Sequence, residues 1–225
     1  MAAREHGFEV SGRIGRVTGL LLRPPKARAL LVYAHGAGAG MRHAFMESSC
    51  EKLAARGIAS FRYQFPYTEQ GKRAPNPPAV LTATVAAALR SAAELARGLP
   101  LFAGGKSMGG RMTSLAASQG LLEPLRGIVF FGFPLHAAGK PSAERGKHLA
   151  DVACPTLFLQ GSRDKLADLE LLRPLCARLG RRATLHVIDD ADHSFHVPKR
   201  SGRNDDEVLE ELCDTIAGWV EPRLG

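Results

Sequence analysis

Cysteine is scarce in this 225-residue chain: there are four, Cys50, Cys154, Cys176 and Cys213. They are scattered, with no Cys-x-x-Cys pair, so neither a zinc site nor a disulfide framework is indicated, and reduced core thiols in a cytoplasmic protein are expected. Long apolar runs are missing as well. No stretch approaches the roughly 18 consecutive apolar residues of a membrane span, and the opening MAAREHGFEVSG has no apolar run after its basic residue, so neither a membrane segment nor a secretory signal is expected. Basic tracts are absent too. Lys plus Arg number 30 against 22 Asp plus Glu, a net charge of +8, but the cations are dispersed and no helix carries a basic stripe with interleaved aromatics. Nucleic acid and membrane are therefore not expected partners, and the excess reads as a solvated basic surface that favours anionic small molecules. Repeats and low-complexity tracts are lacking. Composition is 45% hydrophobic and 23% charged, ordinary for a globular chain, and the length suits one compact domain over residues 1–225, a monomer or small homo-oligomer.

What is present is a rhythm. The run ALLVYA at Ala29–Ala34 is apolar throughout, as in a strand buried on both faces of a parallel sheet. Similar runs recur at Ile58–Tyr63, Leu101–Ala103, Ile128–Phe131, Thr156–Leu159 and Thr184–Ile188, and Phe8–Val10 with Val17–Leu22 suggests an antiparallel edge pair. Between them lie segments of helical period: Leu81, Val85, Leu89, Ala92 and Leu95 share one face, as do Val208, Leu212, Ile216 and Trp219. Asn204 followed by Glu207 predicts a capping box at the start of the last helix, and Gly120 predicts a left-handed stop. Strands alternating with helices predict a mostly parallel α/β sheet with helices on both faces. The proline-rich stretch Gln64–Pro78 is expected to be an irregular loop at a strand end, the edge where such sheets bind ligands.

The stretch GGKSMGGR at residues 104–111 admits two readings. A phosphate-binding P-loop needs a glycine five residues before the Gly105-Lys106-Ser107 triplet, and Pro100 stands there. A nucleophile elbow needs a strand, a sharp turn with the nucleophile at its apex, and a helix. Leu101–Ala103, Gly105-Lys106-Ser107-Met108-Gly109, and a helix burying Met112, Leu115 and Ala116 supply all three. Such an elbow works with a histidine base and an acid that orients it, in the chain order Ser, Asp, His. Asp164 follows the strand ending at Leu159, and His193 follows the strand ending at Ile188. His196 could replace His193, but its reach from the strand end is longer. Asp168 is a weaker acid candidate because it suits a helix cap. Asp189, Asp190 and Asp192 read as a solvated turn, not a metal site, and His35 reads as a structural histidine.

An oxyanion hole would draw one N–H from Met108, the residue after the nucleophile, and a second from the turn HGAGAG at residues 35–40, with Ala37 the donor. A dinucleotide reading of that turn fails, since it requires glycine where Met41 stands.

Through HGAGAG, GGKSMGGRM, FPLHAAGKP (133–141), PTLFLQGSRD (155–164) and ADHSF (191–195), the chain resembles the α/β-hydrolase superfamily on its dienelactone-hydrolase-like side. It is also similar to a compact group that includes a testis-expressed protein and a subunit of the NSL chromatin complex. The resemblance implies an α/β-hydrolase fold, with Ser107 as nucleophile, Asp164 as acid and His193 as base. Dienelactone hydrolases proper use cysteine as nucleophile, so their ring-opening activity is not implied here. The activity expected is hydrolysis of small acyl esters through an acyl-enzyme, without metal or organic cofactor. The alternative is a catalytically weak or inactive binding protein on the same fold. About twenty residues separate Gly132 from Pro155, too few for a lid domain, so an open site is expected, bordered by Gln64–Pro78 and His136–Arg145. Lys72, Arg73, Lys106, Arg111 and Lys140 are candidate rim cations for an anionic acyl substrate.

Overall fold

A computed structural model describes residues 2–122 and 124–225. Among these, the strands are β1 (Arg4–Ser11), β2 (Gly15–Leu22), β3 (Ala29–Ala34), β4 (Ile58–Tyr63), β5 (Leu101–Lys106), β6 (Gly127–Phe131), β7 (Thr156–Gly161) and β8 (Ala183–Ile188). They form one sheet in the order β1-β2-β4-β3-β5-β6-β7-β8. β1 pairs with β2, and β2 with β4, antiparallel; every other pairing is parallel. The helices are α1 (Ala44–Ala55), α2 (Pro66–Glu69), α3 (Pro78–Leu95), α4 (Met108–Ser118), α5 (Leu169–Leu179) and α6 (Asp205–Val220).

The strand period sorts side chains between two layers. Leu31 and Tyr33 of β3, Phe102 of β5 and Phe131 of β6 pack with Met46, Cys50 and Leu53 of α1 and with Leu212, Ile216 and Trp219 of α6. On the other face, Leu30 and Val32 pack with Leu81, Val85 and Leu89 of α3 and Met112 of α4, and Phe130 and Phe158 pack with Leu172 and Leu175 of α5. Alternate residues of one strand thus serve opposite layers, which is why β3 is buried throughout and its sequence shows no polar alternation. Each fully buried Leu or Phe side chain contributes about 1.5 to 3 kcal/mol relative to exposure, so these layers dominate the favourable side of folding.

The helix ends follow the sequence signals. Asn204 caps α6 with the reciprocal Glu207 bond in place, and Gly120, at φ +68°, ends the turn after α4 while the Leu121 N–H donates back to the Ala116 carbonyl. Two expectations change. Gln64–Pro78 is not irregular throughout: Pro66 opens α2 and Pro78 opens α3, because a proline at the first helical position gives up an N–H that would have no partner anyway. β5 also runs past its apolar run to Lys106, since Gly104 and Gly105 pair with Tyr33 and Ala34 of β3. No helix is long and apolar enough to cross a membrane among the described residues.

Candidate active site

Ser107 sits between β5 and α4 at φ 51°, ψ −117°, a backbone region costly for any residue with a Cβ. Its N–H donates to the Phe131 carbonyl of the neighbouring strand, and its own carbonyl accepts from the Arg111 N–H of the helix. The turn closes only with glycine on both sides. A Cβ on Gly105 would lie 2.5 Å from the Gly110 nitrogen, and one on Gly109 would lie 2.5 Å from the Ala34 carbonyl oxygen. Strand, turn and helix together hold the serine hydroxyl above the carboxyl edge of the sheet.

His193, on the loop after β8, and Asp164, on the loop after β7, come to that hydroxyl. The Ser107 hydroxyl donates to His193 Nε2 at 2.8 Å, and His193 Nδ1–H donates to Asp164 Oδ2 at 2.7 Å. The Asp164 side chain has no exposed surface. A buried carboxylate needs donors to replace water. Leu166 N–H supplies one to Oδ1 at 2.7 Å, and the Gln160 amide supplies another to Oδ2. Gln160 is fixed in turn by the Phe133 N–H, which donates to its carbonyl oxygen at 2.9 Å. Gln160 was not singled out by the sequence; its signal was a carboxamide inside an otherwise apolar buried strand.

The other residues fall where the sequence put them or elsewhere. His196 is exposed and pairs with Asp205 at 2.9 Å, and does not contact Ser107. Asp168 caps α5, accepting from the Glu170 N–H. Asp192 accepts from the N–H groups of Ser194 and His196 and so shapes the turn that carries His193. His35 is fully buried. Its Nδ1–H donates to the Gly36 carbonyl at 2.8 Å and its Nε2 accepts from the Phe65 N–H at 3.2 Å, while burial pushes its pKa down to about 4. Beside it, Gln64 accepts from the Met41 N–H at 3.0 Å. The turn from Gly36 to Gly40 is thus tied at both ends to the segment after β4.

A cavity of about 340 Å³ opens over Ser107, with Ala37, Phe45, Lys106, Leu166 and His193 among its walls. Among the described residues, neither the Ala37 nor the Met108 N–H has a protein acceptor. A larger recess of about 600 Å³ adjoins it, sharing Ala39 and His43 and bounded by Arg42, Tyr67, Lys72 and Arg73. Arg42 pairs with Glu5; neither Lys72 nor Arg73 is in an ion pair among the described residues. Arg111, Lys140 and the His136–Arg145 segment line neither space. No group of three or more His, Cys, Asp or Glu that could hold a metal ion occurs among the described residues.

The same fold recurs among known proteins. The structure is similar to an α/β serine hydrolase without a lid from Xanthomonas campestris (TM-score 0.74, 18% identity, 97% of this chain and 95% of that one). It is similar to a dienelactone hydrolase from Anabaena variabilis (TM-score 0.75, 19% identity, 98% of each chain). An esterase domain from Rhodothermus marinus superimposes over 100% of both chains (TM-score 0.74, 17% identity). At these identities the likeness establishes the fold, an α/β-hydrolase fold without a lid domain. In sequence, the chain is 28% identical over 213 residues to a Mycobacterium tuberculosis protein provisionally named a phosphoribosyl transferase, covering 92% of this chain but 44% of the relative. The chain therefore spans less than half the length of the curated relatives it matches. The family model described as an alpha/beta hydrolase domain matches residues 27–221, and on that match the chain belongs to the α/β-hydrolase family.

Proposed function

We propose that the protein is a serine hydrolase that cleaves small acyl esters, with Ser107 as nucleophile, His193 as general base and Asp164 as the acid that orients it. The observation that carries this reading is the unbroken line of hydrogen bonds from the Ser107 hydroxyl through His193 to the buried Asp164 carboxylate, at the floor of an open cavity. As Ser107 Oγ attacks the substrate carbonyl carbon, His193 Nε2 takes its proton, and Asp164 holds the Nδ1–H tautomer and stabilises the imidazolium. The carbonyl oxygen becomes an oxyanion facing the Ala37 and Met108 N–H groups, each such donor being worth about 3 to 4 kcal/mol. Collapse expels the alcohol, protonated by His193. Water, activated by the same imidazole, then releases the acid and restores Ser107.

The substrate is read as small and anionic. The cavity suits a short acyl group, and the adjoining recess offers the unpaired cations Lys72 and Arg73 to a charge at its far end. The four free cysteines fit a reducing cytoplasm. The test is turnover of short-chain esters, thioesters and lactones by the wild type and by Ser107→Ala. Loss of all wild-type turnover in the variant is the expected result. A folded wild type that turns over none of them supports instead a binding protein that keeps the fold without the chemistry.

A further inference from the structure

Lys106 precedes the nucleophile at the end of β5, and the ester-cleavage reading gives it no part. Strand alternation aims it at the layer between β5 and α1, on the same face as Phe102, which is packed in the apolar core. An apolar side chain would be the ordinary occupant there. Instead, the ammonium lies over the rings of Phe45 (5.8 Å) and Phe195 (5.1 Å), two rings stacked at 5.9 Å and 10°, and donates to the main-chain carbonyl of His193. No carboxylate pairs with it directly among the described residues. The loop it holds is already constrained: Phe195 is at φ +67°, its N–H donates to the Asp192 carbonyl, and the Asp192 N–H donates to the His196 carbonyl.

We propose that Lys106 is a positioning residue: by gripping the His193 carbonyl from the position next to Ser107, its charged ammonium sets the approach of the imidazole to the serine hydroxyl. The two partners of the proton transfer come from β5 and from the loop after β8, strands separated in the sheet by β6 and β7. Lys106 is a tie between the loop and the residue beside the nucleophile. A displacement of about 1 Å in such a pair can cost on the order of a hundredfold in rate. The cation–π contacts and the bond to the carbonyl both strengthen with the positive charge.

The charge is itself titratable. Burial pushes the Lys106 pKa down to about 8, against the opposing pull of the Asp164 and Asp192 carboxylates. His193 and His43 are the other titratable groups lining the same cavity, the rings of Phe45 and Phe195 beneath the ammonium are uncharged, and β6 (GIVFF) contributes no titratable group. Above that pH the ammonium loses its proton, the grip weakens, and acylation falls. Because the charged form is disfavoured in the fold, removing the charge should not lower the melting temperature. A residue with only a packing role would lose stability and rate together.

The inference rests on the hydrolase reading, and the experiment separates the two. The rate at which a fluorophosphonate phosphonylates Ser107, forming the O–P bond and expelling fluoride, is followed from about pH 6 to about pH 10 for the wild type, Lys106→Met and Lys106→Arg, with melting temperatures measured alongside. The wild type should show an alkaline fall with a midpoint near 8. Lys106→Met should be phosphonylated roughly tenfold or more slowly at neutral pH, without that fall and with an undiminished melting temperature. Lys106→Arg should restore much of the rate and move the fall beyond the measured range. Phosphonylation of Lys106→Met at the wild-type rate overturns the proposal, as does an alkaline fall that stays at the same midpoint in either variant. If Lys106→Met fails to fold, the charge-conserving variant decides on its midpoint alone. A wild type that is not phosphonylated overturns the hydrolase reading and this proposal with it, whereas a reactive wild type with indifferent variants overturns this one alone.

Discussion

The Gln160 side-chain amide donates to Asp164 Oδ2, the same carboxylate oxygen that accepts from His193. Gln160 also accepts from the Phe133 N–H just beyond β6, so the proposed acid is set by a side chain of β7 that also holds the segment following β6. Gln160→Leu should leave a buried N–H unpaired and one carboxylate lone pair unmatched, at a cost of about 1 to 3 kcal/mol. Urea unfolding checks the stability, and a wild-type midpoint would contradict the bridge.

Ser107→Ala should abolish ester turnover while leaving stability within about 0.5 kcal/mol of wild type, since one hydroxyl is lost and the backbone strain remains. Ser107→Gly should be equally inactive yet more stable than Ser107→Ala by about 1 kcal/mol, because glycine adopts the φ of 51° without penalty. Calorimetry of the two inactive variants isolates the strain from the chemistry.

His35 predicts a pH dependence of stability. Its pKa is about 4 in the fold and about 6.5 in an unfolded chain. Between those values the unfolded state binds a proton that the folded state does not, so the contribution is complete above about pH 6.5 and is lost as pH falls towards 4. The loss amounts to roughly 3 kcal/mol. Urea unfolding at a series of pH values should show this slope, and a His35→Asn variant should flatten it.

The recess beside the site predicts a charge preference. Esters with a carboxylate in the acyl part should have a higher kcat/KM than neutral isosteres at low salt, and added salt should shrink the difference. Replacing Lys72 and Arg73 together by Glu should reverse the preference. Equal rates for charged and neutral esters at low salt would make the +8 charge a feature of the surface alone.

The strands were legible because burial on both faces leaves unbroken runs such as Ala29–Ala34. Ser107, Asp164 and His193, which the fold brings together, could be proposed because each lies just beyond the carboxyl end of such a run, in the order an elbow requires. Less legible were features made by partners distant in sequence. Gln160 is held by Phe133, 27 residues away, and Lys106 lies over Phe45 and Phe195, and none of those distances can be counted along the chain. The short helix α2 was hidden because its proline was read as a breaker when it stands where a helix begins. Charge alone suggests Arg111 and Lys140 as rim cations, but neither lines the cavity over Ser107 or the adjoining recess.

The central claim is that Ser107 is the nucleophile, and covalent labelling tests it most directly. The folded protein is treated with a fluorophosphonate, digested, and the modified residue located by mass spectrometry, with His193→Ala treated in parallel. The account predicts a single modification on Ser107 in the wild type and little or none in the variant, because the serine depends on its base. Modification at another residue, or equal labelling of Ser107 without His193, would contradict it.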